Sequence, residues 1–131
     1  MQSKLLPLIQ SAPENPSENV LSEHVVFHSP VRDYEGPADV THILATIGSV
    51  LDEIEAQDEL IAERQLVTLI GVAHEHRHMS GVLQETYDAL GRVEQATLIL
   101  RPMSVLLEAI AAMRTALERA PLPSTLAART R

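Results

Sequence analysis

The chain of 131 residues contains no cysteine and no tryptophan. Without cysteine there can be no disulfide, no thiolate nucleophile and no cysteine-ligated zinc or iron–sulfur centre. Aromatic side chains make up 2 % of the residues, and Phe27, Tyr34 and Tyr87 are the whole set. The core must therefore be aliphatic, and a binding site has to do without an aromatic cage. Long apolar runs are missing too, since nothing approaches the ~20 residues that span a bilayer. Residues 1–10, interrupted by Pro7, are too short and irregular a stretch for a signal peptide. Basic residues are scarce, ten against eighteen acidic ones, and the net charge of −8 makes nucleic acid and anionic membranes poor partners. A cytoplasmic protein that binds neither is the expectation.

What the sequence does have is enough aliphatic material for one core. Hydrophobic residues are 45 % of the chain, which excludes disorder as its main state. The length fits one domain, expected over residues 1–120, with 121–131 as a mobile tail containing two prolines. Residues 3–11 suit a short helix capped by Ser3, and residues 12–19, with Pro13 and Pro16, read as a loop. Val25, Val26 and Phe27 begin a strand that Pro30 must end or place at an edge, and Asp33 to Gly36 read as a turn. Pro37 suits the first turn of a helix. After it Val40, Ile43, Leu44, Ile47, Val50, Leu51 and Ile54 recur at spacings of three and four, predicting an amphipathic helix over residues 37–56.

Beyond Glu63 the period changes to two, and three strands are predicted near 65–76, 78–88 and 92–101. Asp88-Ala89-Leu90-Gly91 is a hairpin turn, with Gly91 free to take positive φ. Alternation puts Leu83, Glu85, Tyr87, Ala96, Leu98 and Leu100 on one face, the more apolar one, which should meet the core. Val82, Gln84, Thr86, Asp88, Val93, Gln95, Thr97 and Ile99 share the other. Residues 66–73 are apolar on both faces and give no orientation. Pro102 opens a last helix whose stripe is Met103, Leu106, Leu107, Ile110, Met113 and Leu117.

The segments Val26 to Leu51 and Met79 to Pro102 carry a likeness. A strand ending Phe27-His28-Ser29-Pro30-Val31, a long helix and the hairpin Tyr87-Asp88-Ala89-Leu90-Gly91-Arg92-Val93 come in an order that resembles the nuclear transport factor 2-like superfamily. That superfamily includes the SnoaL-like and ketosteroid-isomerase-like proteins, and Leu100-Arg101-Pro102 before a helix looks like a bacterial SnoaL-like branch of undefined activity. The resemblance implies an α+β fold, a cone-shaped curved antiparallel sheet wrapped around the long helix, with an additional C-terminal helix. It also implies a pocket at the wide end of the cone and a homodimer through the outer sheet face. Ketosteroid isomerase chemistry needs a carboxylate base and an oxyanion hole of a tyrosine and a protonated acid. On this sequence the base position falls on Ser29, the oxyanion acid falls on Leu83, and residues 3–11 hold no tyrosine. The isomerase set is not present, and whether the chain is an enzyme stays open.

Two residues are candidates for proton transfer in such a pocket. Glu85 is a carboxylate flanked by apolar neighbours, the kind of group enzymes tune for acid–base work; a carboxylate paired with Arg92 or Arg101 is the plainer alternative. His28 lies beside the base position and can accept or donate a proton near neutral pH, or can simply face outward. The expected pocket wall is Ser29, Tyr34, Leu83, Tyr87, Ala96, Leu98 and Leu100. His74, His76 and His78 form a conspicuous cluster, but a turn within Glu75–Arg77 would splay them, so no metal and no cofactor is expected. His42, opposite its helix's apolar stripe, reads as solvated. The readings left open are a protein that binds a small, largely apolar molecule, an isomerase, cyclase or hydrolase using Glu85 or His28, and a dimeric interaction module without catalysis.

Overall fold

Pro30 cannot donate to a sheet ladder, and the first strand, β1 (Leu21–His28), stops two residues before it. The turn that follows is tied by Ser29, whose N–H donates to the Arg32 carbonyl at 3.0 Å. In the computed structural model, which describes residues 2–11 and 20–129, the expected turn over Asp33 to Gly36 is largely a short strand. That strand, β2 (Asp33–Glu35), runs back along β1 with Tyr34 opposite Phe27. The expected loop over residues 12–19 lies outside the described residues. The N-terminal helix α1 (Leu6–Ser11) forms, and Ser3 Oγ accepts the Leu6 N–H at 3.0 Å as its cap.

The long helix is shorter than its apolar period suggests. Helix α2 (Pro37–Val50) ends at Leu51, which is extended, and residues 53–62 are not helix but strand β3 (Glu53–Ala62). Ile54 continues the three-and-four spacing by coincidence. Asp52 is what turns the chain, because its N–H donates to the Ala73 carbonyl at 2.9 Å and its carboxylate accepts the Glu75 N–H at 2.6 Å. β3 is an edge strand with most side chains in water, so it lacks the one-sided alternation that reveals a strand in sequence.

β4 (Gln65–His74), β5 (Arg77–Tyr87) and β6 (Val93–Arg101) follow as expected, extending β3 into an antiparallel meander. The sheet has six strands in the order β2-β1-β6-β5-β4-β3, curved and not closed. It is not wholly antiparallel: β1 and β6 run parallel, with Phe27 opposite Ala96. Gly91 takes φ +80° in the β5–β6 turn. There Asp88 accepts the Leu90 and Arg92 N–H groups, and the Arg92 N–H is the main reason its carboxyl sits below its ordinary pKa. The β4–β5 turn puts two non-glycine residues, Glu75 and His76, at φ +48° and +67°. That is the backbone twist a two-residue hairpin needs, with no glycine to announce it.

Inside the curve sit α1, α2 and the inward faces of the strands: Leu5, Ile9, Phe27, Val40, Ile43, Leu44, Leu66, Ile70, Leu83 and Val93 are all buried. Val93, expected on the outer face, lies opposite the buried Tyr87 because the β5–β6 register shifts between Thr86 and Tyr87. Helix α1 lies so close to α2 that a Cβ on Gly48 would meet the Ile9 carbonyl oxygen at 1.9 Å. Residue 48 therefore has to be glycine although it sits mid-helix, where glycine costs about 1 kcal/mol against alanine. Helix α3 (Met103–Arg119) packs with Val105 and Ala109 buried, while Met103 and Leu107 of the expected stripe point into solvent. The stretch expected as a mobile tail forms a further helix, α4 (Pro123–Arg129), preceded by a buried Leu122 and tied by Ser124 to Asp39.

Candidate functional site

Helix α3 packs over a cavity of about 100 Å³ bounded also by α2, β6 and the β1–β2 turn. Each wall follows from a local pattern. Ile43, Ile47 and Val50 come from α2 and Leu51 from the extended residue that ends it, while Leu98 and Leu100 come from alternate, inward positions of β6. Leu106, Ile110, Met113 and Leu117 recur at three and four on α3, with the small Ala109 leaving room between them. The β1–β2 turn adds Ser29, Pro30 and Val31, and β2 adds Tyr34.

Among the described residues only three lining side chains are polar: Ser29, Tyr34 and Arg114. The Ser29 hydroxyl is consumed by its own turn, donating to the Arg32 carbonyl at 2.8 Å and accepting the Val31 and Arg32 N–H groups. The Tyr34 ring stacks on Phe27 with centroids 6.4 Å apart and lies under the Arg32 guanidinium. Burial raises the Tyr34 pKa, opposed by the Arg32 charge and a bond to Ser29, so its hydroxyl stays neutral.

The expected pocket residues divide. Ser29, Tyr34, Leu98 and Leu100 line the cavity. Leu83, Tyr87 and Ala96 are buried as expected but lie in the cone's packed interior, away from it. Glu85 is fully buried there as well. Its carboxylate holds the N-terminal segment: Oε2 accepts the Ser3 hydroxyl at 2.5 Å, and Oε1 accepts the Lys4 and Leu5 N–H groups at 2.8 and 3.0 Å and the Tyr87 hydroxyl at 3.3 Å. Arg92, the alternative partner, pairs instead with Asp88 at 3.0 Å. Tyr87 has its pKa raised by burial first, then by the Glu85 charge and hydrogen bond.

His28 faces the other way. Its Nδ1–H donates to Asp33 at 2.6 Å and its Nε2 accepts the Gln95 amide at 3.0 Å, on the outer face of the sheet. Glu85 and His28 therefore share no cavity. The three clustered histidines diverge in the same manner. His74 is buried with Nδ1 on the Val50 carbonyl at 3.2 Å, His76 occupies the turn, and His78 is exposed beyond it. Among the described residues no group of three His, Asp or Glu side chains is placed to hold a metal ion. His42, expected to be solvated, meets the Ala120 carbonyl through Nε2 at 2.7 Å and pins the end of α3.

Arg114 escaped the sequence reading. It borders the α3 stripe between Met113 and Leu117, a signal visible only once α3 is known to be a cavity wall. No helix among the described residues is long and apolar enough to cross a membrane.

No protein-family model matches the chain, and no curated protein does either. Solved structures do. A steroid delta-isomerase from Pseudomonas aeruginosa is 21 % identical, with TM-score 0.74 over 91 % of this chain and 95 % of that one. An uncharacterized protein with a cystatin-like fold, conserved in bacteria, from Silicibacter pomeroyi has 18 % identity and TM-score 0.74 over 77 % of this chain and 73 % of that one. A nuclear transport factor 2-like protein of unknown function from Cytophaga hutchinsonii has 8 % identity and TM-score 0.65 over 79 % and 88 % of the two chains. The chain has the nuclear transport factor 2-like fold.

Proposed function

We propose that this protein binds a compact, largely apolar molecule in the cavity beneath α3. The observation that carries the reading is the lining itself, aliphatic on α2, β6 and α3 alike and with its serine already engaged. Its size limits the ligand. Sites for drug-sized molecules run to about 300–1,000 Å³, so a cavity of about 100 Å³ takes only a few buried carbons. Burying about 150 Å² of apolar ligand surface is worth about 4 kcal/mol, which corresponds to a Kd of about 1 mM from the apolar contact alone. A series of small apolar compounds should raise the melting temperature in a concentration-dependent way. Ala109→Leu, which fills the cavity from α3, should remove the shift. No shift with any member of the series would refute the reading.

Binding is favoured over proton transfer because Glu85 and His28 lie on opposite faces of the sheet, each fully engaged. The likeness to a steroid delta-isomerase is one of fold, and the positions that would carry that chemistry hold Ser29 and Leu83.

We also infer a homodimer through the outer sheet face. Val82 stands opposite Ile99, Gln84 opposite Thr97 and Thr86 opposite Gln95, and Ile99 is 59 % exposed. That mixture of apolar and polar groups is what two-subunit contacts commonly contain. Light scattering at micromolar concentration should report a dimer, and Thr86→Arg with Thr97→Arg should convert it to a monomer. A wild-type monomer, or a dimer indifferent to both arginines, would defeat the inference.

A further inference from the structure

Resting on the binding reading above, one residue narrows the chemistry of the ligand. Arg114 is the only charged side chain in the cavity lining among the described residues. Three other arginines are engaged elsewhere, Arg77 with Glu108 at 2.6 Å, Arg92 with Asp88, and Arg32 over the Tyr34 ring, and of the remaining unpaired ones among the described residues only Arg114 borders the cavity. Arg114 makes no ion pair or hydrogen bond among the described residues, though Glu118 follows it by one helical turn. It is exposed and borders the cavity beside Ile110, Met113 and Leu117. The surrounding segment is the basic part of an acidic chain, with Arg114, Arg119, Arg129 and Arg131 against Glu108 and Glu118 from Met103 onward.

We propose that the ligand is a short carboxylic acid, its hydrocarbon tail in the cavity and its carboxylate on Arg114. The guanidinium fork matches a carboxylate with two parallel N–H···O bonds, which neither an alcohol nor an amine can reproduce. Glu85, the carboxylate that would repel such a ligand, is held at the N-terminal segment and faces away from the cavity. Length follows from volume. A cavity of about 150 Å³ accommodates the six carbons of benzene, so one of about 100 Å³ holds a tail of about four. Pentanoate is the fitting member of the straight-chain series. Longer acids should gain little, because the extra carbons stay in water.

The test is a titration of isotope-labelled full-length protein, followed by amide chemical shifts, with pentanoate, pentanol and pentylamine. Pentanoate should bind about fivefold more tightly than pentanol, the scale of a partly exposed ion pair, and pentylamine more weakly than either. Arg114→Gln should erase the preference for the acid, so that pentanoate binds no more tightly to that variant than pentanol does. Arg114→Glu should invert it in favour of pentylamine. Both substitutions fall on an exposed helix position and should leave the fold intact. Equal binding of acid and alcohol, abolished for both by Ala109→Leu, would overturn the acid assignment and leave the apolar site standing. The same assignment falls if Arg114→Gln retains the preference. If none of the three compounds binds, the cavity reading falls and takes this one with it.

Discussion

Replacing Glu85 with alanine is expected to lower the free energy of unfolding by about 3–5 kcal/mol, a large share of the about 5–15 kcal/mol typical of a domain. The side chain has 0 % exposure, and its two oxygens receive the Ser3 hydroxyl, the Lys4 and Leu5 N–H groups and the Tyr87 hydroxyl. Alanine leaves three buried donors with nothing to accept them, beside the half-buried Lys4 N–H, and each buried unsatisfied donor costs about 1–3 kcal/mol before relaxation. The Tyr87 hydroxyl cannot escape by ionising, because burial, the largest cause of its raised pKa, remains when the carboxylate is gone. Glutamine keeps one acceptor oxygen for the backbone N–H groups and lets the Ser3 hydroxyl rotate to accept, so Glu85→Gln should lose about 1–2 kcal/mol. Ser3→Ala combined with Glu85→Ala should cost less than the two separately, since they remove the same contact. Urea unfolding followed by circular dichroism gives all three values. An alanine variant with an unchanged midpoint would mean that the N-terminal segment is not docked. That segment matters beyond stability: anchored at Glu85, it lays Leu5, Leu6, Leu8 and Ile9 in the buried core.

The anchor also shows which parts of this molecule can be read from residues in order. Strand alternation put Glu85 on the inward face, and that inwardness is local, set by its neighbours Leu83 and Tyr87. What it faces is not local, because the donors of Ser3, Lys4 and Leu5 lie about eighty residues earlier. A buried carboxylate looks the same in sequence whether its partner is a substrate or a helix terminus. The hairpin at Gly91 was legible because glycine marks positive φ there, whereas Glu75 and His76 do the same work without a mark. Ile54 misled because one residue at helical spacing outweighed a solvent-exposed edge strand with no apolar face to display. The parallel pairing of β1 with β6 has no sequence signature either, since it joins strands more than sixty residues apart in the chain. The cavity was half legible. Leu98 and Leu100 declare themselves through alternation, but the opposite wall depends on where α3 folds back, and so Arg114 stayed hidden.

The second large effect is expected at Leu98, where aspartate should remove the protein from the soluble fraction. Leu98 is 3 % exposed, stands opposite Leu83 in the β5–β6 ladder and forms part of the cavity wall. An aspartate there must either ionise among leucines and isoleucines or bury a carboxyl without a partner, and both cost several kcal/mol. The lost leucine adds to this: truncation to alanine alone costs about 2–5 kcal/mol, through transfer and the space left behind. Together these approach the whole stability of a domain this size. Arg114, on the facing wall, could neutralise the new charge only by leaving water itself, which reduces the penalty without cancelling it. Leu98→Ala is the informative companion. It should stay folded with a lowered melting temperature and, having enlarged the cavity, should accept a bulkier apolar body than the wild type. Both readings depend on one orientation, Leu98 inward and Thr97 outward. A soluble Leu98→Asp variant melting at the wild-type temperature would mean that β6 sits one residue out of register, with every cavity residue on that strand reassigned to the outer face.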